Sequence, residues 1–333
     1  MDSEYDKLRF KKHPSLKKPG CWDEDLVRPR AQVMADARRM GKTVHFGNIF
    51  GICVEKGSEL PKGHKDRKYK GRYVFRGNDV KDQNWETAMF QELGSSPAAM
   101  EASKSADFYG SLPGHASEQA DADQAYTQAL MEGTETWVTL PRERWPAGCE
   151  GIHAPVVPLY LALYGHPHAG TFWENHCEEK VQEAGFVRIT DWRSCYWHPV
   201  LKLFLVIYVD DFKLSGPAEN LAAGWKLLRK DINLGEIGPL GQFLGCNHVE
   251  STKTSPWTGN QVRTMEYDRE SFLVKCVEDY IWSFRGPPCS KRRRPLSLRM
   301  LTPTRQYTQK LSLRGAKPRH PRENSSILLR ACS

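Results

Sequence analysis

Apolar positions in this chain come in short blocks, some with the spacing of strands and some with that of helices. The block "VHFGNIFGICV" at 44–54 is followed, after a stretch rich in lysine and arginine, by "RYVF" at 72–75, and the pair predicts a β-hairpin with a basic loop. Just upstream, "RPRAQVMADARRMGK" has the pattern of one amphipathic helix ending at Gly41. The segment 86–133 is mixed: its alanine-rich parts favour helix, and "SLPGH" marks a turn. "TETWVTLP" reads as a short strand stopped by Pro141. "TFWENHCEEKVQEAGF" places Phe172, Trp173, His176 or Cys177, Val181 and Ala184 on one helical face and closes on Gly185. A strand hairpin follows at 201–216, then a helix in "PAENLAAGWKLLRKDI", a glycine-punctuated strand-like stretch in "LGEIGPLGQFLGCNHVE", and an amphipathic helix in "DRESFLVKCVEDYIWSF". Helices alternating with antiparallel strand pairs predict an α+β fold.

The hairpin "LKLFLVIYVDDFKLSG" sets an electrostatic problem. A run that reads as a buried strand ends in two adjacent carboxylates, Asp210 and Asp211. Like charges beside an apolar strand repel and are costly to desolvate, so a bound cation is the first candidate to offset them. Strand alternation sends the two side chains to opposite faces, and only one is expected to lie fully against a central site. "EQADADQAYTQA" offers Asp121 and Asp123 just before Tyr126, and one of these with the pair would make three carboxylates. Hard carboxylate oxygens suit magnesium. Two such ions about 4 Å apart could activate a 3′-hydroxyl and stabilise a leaving pyrophosphate.

Composition narrows the picture further. The chain has 333 residues, 39% of them hydrophobic, which is enough for a sizeable core. Its net charge of +8 is unevenly spread: +9 over 1–76, −13 over 77–284 and +12 over 285–333. An acidic centre between basic flanks suits a site that holds cations while the flanks meet polyanions. The nine cysteines form no CxxC pair, which argues for reduced thiols and an intracellular setting, cytoplasmic or nuclear. His176, Cys177, Cys195 and His198 have no standard zinc spacing. No segment has the roughly 20 apolar residues of a membrane span, and the N-terminus lacks a secretory apolar region. The organisation expected is a polar N-terminal segment over 1–42, a folded region over 43–284, and a basic, proline-rich, disordered tail over 285–333.

Several of these segments together resemble the copia-type retrotransposon reverse transcriptases. "YVDDFKLSG" looks like the family's signature hairpin, and "DADQAYTQALMEGTETWVTLP" like its segment of aspartate, three residues and Ala-aromatic. "PLYLALYGHPHAGTFWENHCEEKVQEAGF" is similar to "LxxALYGLxQxxxxW…LxxxGF", "LGEIGPLGQFLGCNHV" to "LGxxxxFLGIxI", and "YKGRYVFRG" to "YKARLVARG". They follow in family order from Tyr69 to Val249. The resemblance implies a right-hand polymerase with fingers, an antiparallel palm sheet packed on helices, and a partial thumb. It implies RNA-directed DNA synthesis on an RNA template with a DNA or RNA primer and dNTPs, using two Mg²⁺ ions, with Mn²⁺ as a substitute. Asp121, Asp210 and Asp211 would be the catalytic metal ligands. Tyr126 would stack beneath the incoming sugar, Lys70, Arg72 and Arg76 would hold the triphosphate, and Tyr164 with Gly165 would support template and nucleotide. Pro167, His168 and Gly170 depart from the family's loop, and 77–118 fits it poorly. The alternative these departures imply is a degenerate, inactive retrotransposon fragment that only binds nucleic acid.

Overall fold

The structure is a computed structural model that describes residues 20–56, 63–65, 67–90, 97–146, 148–149, 151–270 and a few positions up to 280. The chain divides into two units, Met1–Tyr267 and Asp268–Ser333. The expectations for residues 1–19, for the loop at 57–62 and for the tail at 285–333 fall outside the described residues, and most of the helix expected over 268–284 does too.

Among the described residues the first unit holds three sheets and four α-helices, a mixed α+β architecture. One sheet runs in the order β1 (Arg28–Pro29), β7 (Pro155–Pro158), β6 (Glu135–Thr139), β2 (Val44–Lys56), β3 (Lys68–Phe75), with β4 (Lys81–Asp82) paired to β2. The hairpin read from the sequence is β2–β3, in register from Ile49↔Phe75 to Lys56↔Lys68. The parallel pairing of β2 with β6 was not foreseen. Helix α1 (Arg30–Met40) ends at Gly41, whose φ of 62° is the left-handed conformation of a helix C-cap. It buries Val33 and Ala37 against Phe46, Trp137 and Val156. Residues 20–42 thus join the core of this sheet, with Trp22 bridged to Leu159.

The second sheet positions the site. Its order is β12 (Gly238–Pro239), β5 (His115–Asp121), β11 (Asp211–Pro217), β10 (Leu203–Tyr208), β9 (Cys195–His198), β8 (Val187–Arg188), and every pairing is antiparallel. Both faces are covered. Leu203, Leu205, Ile207, Phe212 and Leu214 pack against Trp173, Cys177 and Val181 of α3 (Ala169–Glu183) and Leu221, Trp225 and Leu228 of α4 (Ala218–Leu228). Phe204 and Val206 pack on the other side against Ala102 and Ala106 of α2 (Met100–Gly110). The unbroken apolar run of β10 is the mark of a strand buried on two faces, and each such leucine contributes roughly 1.5–3 kcal/mol. A third sheet joins β13 (Gln242–Phe243), β14 (Cys246–Thr254) and β15 (Gln261–Asp268).

Among the described residues seven cysteines are free; Cys21, Cys149, Cys177, Cys195 and Cys246 are buried, Cys53 and Cys276 exposed. Burial pushes the Cys195 thiol up to about 12. His198 accepts the Leu201 N–H at 3.2 Å and packs edge-on to Phe186, so it serves packing rather than metal binding. Among the described residues no helix is long and apolar enough to cross a membrane.

Candidate active site

Asp121 is the last residue of β5 and Asp211 the first of β11, and the two stand directly opposite in the antiparallel ladder. Asp210 immediately precedes Asp211, in the tight turn between β10 and β11, where its carbonyl accepts the Ala122 N–H at 2.6 Å. Asp210 lies in the turn outside both strands, and the charges of Asp210 and Asp121 both act on Asp211. Asp211 is the strained member. Burial, then the charges of Asp210 and Asp121, then a side-chain hydrogen bond with Asp121 raise its carboxyl to about 7. Like charges this close disfavour ionisation of the buried member, so Asp211 holds its proton far above the usual carboxylate range. Asp123 lies outside this group: it is exposed, and its N–H donates to the Asn233 carbonyl at 2.9 Å.

The turn itself is held under constraint. Val209 has a φ of 57°, a conformation that β-branched residues rarely adopt. Its carbonyl accepts the indole N–H of Trp173 at 2.6 Å, from the helix beneath. That bond and the Ala122–Asp210 bond fix both central residues of the turn. Trp173 was read as a core residue of α3, and its second role as a brace for the turn had no signal in the sequence.

Tyr126 sits beside the carboxylates. Burial and then the Asp210 charge raise its hydroxyl above the usual tyrosine value. Its ring lies 4.5 Å from that of Tyr164, centroid to centroid. Tyr164 in turn accepts the Phe75 N–H through its carbonyl at 2.7 Å, at the end of β3. The site is therefore linked to the first sheet through a ring contact and one backbone bond. Lys70 and Arg72 lie on β3 and Arg76 just beyond it, with the Arg76 guanidinium 5.5 Å from the Phe50 ring centroid. These basic residues belong to the first sheet and the aspartates to the second.

Gly165 makes that link possible. Its φ is 89°, and a Cβ there would stand 2.2 Å from the Phe75 carbonyl oxygen and 2.7 Å from a Val74 methyl. Gly165→Ala is expected to cost about 2–4 kcal/mol in urea unfolding, through both positive φ and overlap with backbone. A loss within 0.5 kcal/mol would show that the loop relaxes freely. The loop histidines His166 and His168 pack among aromatic rings. His166 is buried against Phe75, Phe90 and Phe172, and burial drives its ring down to about 3, so it stays neutral. Its Nδ1 accepts the His168 N–H at 3.2 Å.

The donor set is right in kind for a hard divalent cation. Asp121 and Asp211 present carboxylate oxygens across one ladder rung, and the raised Asp211 carboxyl marks where a cation's charge would be favoured. Among the described residues, no three His, Cys, Asp or Glu side chains form a finished ligand set. The pair fits a metal; Asp210 is adjacent to it but is not shown as a third ligand.

No protein-family profile matches the chain. Over 97 residues, 28% of its length, it is 26% identical to a Saccharomyces cerevisiae protein assigned by name to transposon Ty5-1, and the match spans 32% of that protein. The chain thus carries a region of distant similarity to a transposon protein, which points to a retrotransposon-related origin.

Proposed function

We propose that this chain is an RNA-directed DNA polymerase of copia-type retrotransposon origin, which extends a primer 3′-hydroxyl with dNTPs. The observation that carries the reading is the rung Asp121↔Asp211 with Asp210 in the adjoining turn: an adjacent pair of carboxylates and a third from about ninety residues earlier, brought to one end of an antiparallel sheet backed by helices. The ordered sequence segments and the transposon similarity support it.

On this reading Asp121 and Asp211, with Asp210, hold two Mg²⁺ ions. When bound, these ions supply the charge that lowers the pKa of the primer hydroxyl and neutralises the departing pyrophosphate. The chain's own groups do the rest. Asp211 would give up its proton on binding cations. Tyr126, steadied by the Tyr164 ring, forms a flat platform beside Asp210 on which a nucleotide sugar would rest. Lys70, Arg72 and Arg76 would meet the triphosphate from the first sheet.

Primer extension on an RNA template with dNTPs and Mg²⁺ tests the reading. Incorporation is expected with the unaltered chain and not with Asp210→Asn combined with Asp211→Asn. Absence of incorporation by the unaltered chain, or its survival in the double variant, sinks the proposal. Salt-sensitive RNA binding without incorporation would favour a fragment that only binds nucleic acid.

A further inference from the structure

Two residues beyond Asp211 on the same strand, Lys213 is completely buried. Its Nζ donates to Asp107 Oδ1 at 2.6 Å and Ser103 Oγ at 2.8 Å, both on α2, and reaches His248 Nε2 on β14 at 3.1 Å. Asp107 and Ser103 take two of the three ammonium hydrogens. His248 Nε2 stands between the ammonium and the second Asp107 oxygen, 3.2 Å from that oxygen, and its Nδ1 lies 3.0 Å from the Cys246 carbonyl. The second oxygen of Asp107 accepts the Tyr267 hydroxyl from β15 at 3.0 Å. The ring of Phe243 lies 4.4 Å below the ammonium. One positive and one negative charge are enclosed, with hydrogen bonds on both, in a knot that draws on α2, β11, β14 and β15. Arg263 of β15 reinforces it, donating to the Gly110 and His115 carbonyls at 3.3 and 3.2 Å.

We propose that Lys213 is a positioning residue for the carboxylate site: its buried pair with Asp107, closed by Ser103, His248 and Tyr267, clamps β11 to α2 and to the β14–β15 strands and so holds Asp211 opposite Asp121. The Asp121↔Asp211 rung is the last of the β5–β11 ladder. No further rung lies beyond it to hold the two strands in register, and ladder ends are where strands fray or slide. The clamp grips β11 at the Lys213↔Gln119 rung, two residues in, and works against that movement. The kinetic consequence rests on the polymerase reading; the structural one does not.

The test uses the full chain with Lys213→Met and Asp107→Asn combined. Asparagine can still accept from Tyr267 and donate to His248 Nε2, so the double variant keeps a neutral, bonded core; circular dichroism and a melting temperature close to that of the unaltered chain verify folding. Hydrogen exchange is then read at the Ala122 amide, which bonds Asp210 in the turn, against amides of β9 and β10 as internal reference. Exchange at Ala122 is expected to quicken at least tenfold while the reference amides change less than threefold. Primer extension should show kcat reduced at least tenfold with the KM for dNTP within twofold. Unchanged exchange at Ala122 in the folded double variant overturns the proposal, as does quickening shared equally by the reference amides, which marks a merely structural pair. If the unaltered chain extends no primer, the polymerase reading fails and the exchange result alone decides for or against positioning. Should the double variant not fold, Ser103→Ala with Tyr267→Phe, which loosens the knot without stranding a charge, is read the same way.

Discussion

Replacing Asp211 with asparagine is expected to cut nucleotide incorporation by roughly 10³-fold and, in metal-free buffer at pH 8, to make the fold more stable. The two effects share a cause. Folding buries Asp211 beside two other carboxylates and raises its carboxyl to about 7, whereas in the unfolded chain it ionises near the ordinary value of about 3.9. The folded state therefore holds a proton that the unfolded state releases. Stability linked to this group is fully present below about pH 4 and is lost as pH rises through about 7. Asparagine stays neutral throughout, so the variant should gain on the unaltered chain as pH rises from 4 to 8. Because the side chain is partly exposed, solvent screening reduces the gain to about 1–2 kcal/mol, a few degrees in melting temperature. Adding Mg²⁺ should raise the melting temperature of the unaltered chain and leave the variant nearly unmoved. Thermal melts at pH 5 and 8, with and without Mg²⁺, measure all of this. Parallel pH curves for the two proteins would show that the three carboxylates impose no cost on one another.

Lys213→Met alone should have the opposite character: a large loss of stability, about 3–5 kcal/mol at pH 7. The methionine fills the space, but the Asp107 carboxylate is left ionised in an apolar interior. Burial on its own raises the Asp107 carboxyl; His248 and Lys213 together hold it below the usual carboxylate range. With Lys213 gone its pKa rises in the folded state, so the penalty is present at neutral pH and shrinks as pH falls towards about 4. Adding Asp107→Asn to the variant should recover most of the loss, since exchanging both partners of a buried pair for neutral groups is far less damaging than removing one. Urea unfolding of both single variants and the double variant gives the coupling energy. A coupling under 1 kcal/mol would show that water enters to solvate the unpaired charge.

Asp210 and Asp211 stand out in the sequence because they interrupt an apolar run, whereas the residues alone left Asp121 and Asp123 as alternatives and only the resemblance chose Asp121. Lys213 was invisible for the opposite reason. In "DFKLSG" it alternates with Phe212 and Leu214, as a solvent-facing residue of a one-sided strand would. Only the packing of α2 on that face makes the position interior. Asp107, within "SADFYG", looks equally like part of a solvated helix face. Alternation reports which residues share a face and says nothing of whether a second layer covers it. The same limit explains Asp210, whose orientation is set by a turn at Val209 that no residue type announced. The helix α1, the β2–β3 hairpin and α3 were legible because each ends on local punctuation, a glycine or a charged loop, that needs no tertiary partner. The parallel β2–β6 pairing is made by segments some ninety residues apart in "VHFGN" and "ETWVT", and depends on everything folded between them.

The five buried thiols have a further use. Cys21 lies in the core of the first sheet, Cys177 and Cys195 on opposite sides of the second, and Cys246 beside the Lys213 knot, while Cys149 is buried in the segment that follows β6. None can meet a water-borne alkylating reagent until its own region opens. A brief pulse of such a reagent during unfolding, followed by peptide mass measurement, would time-stamp each layer separately. The protein thus records, in its own sulfur atoms, the order in which its parts come undone.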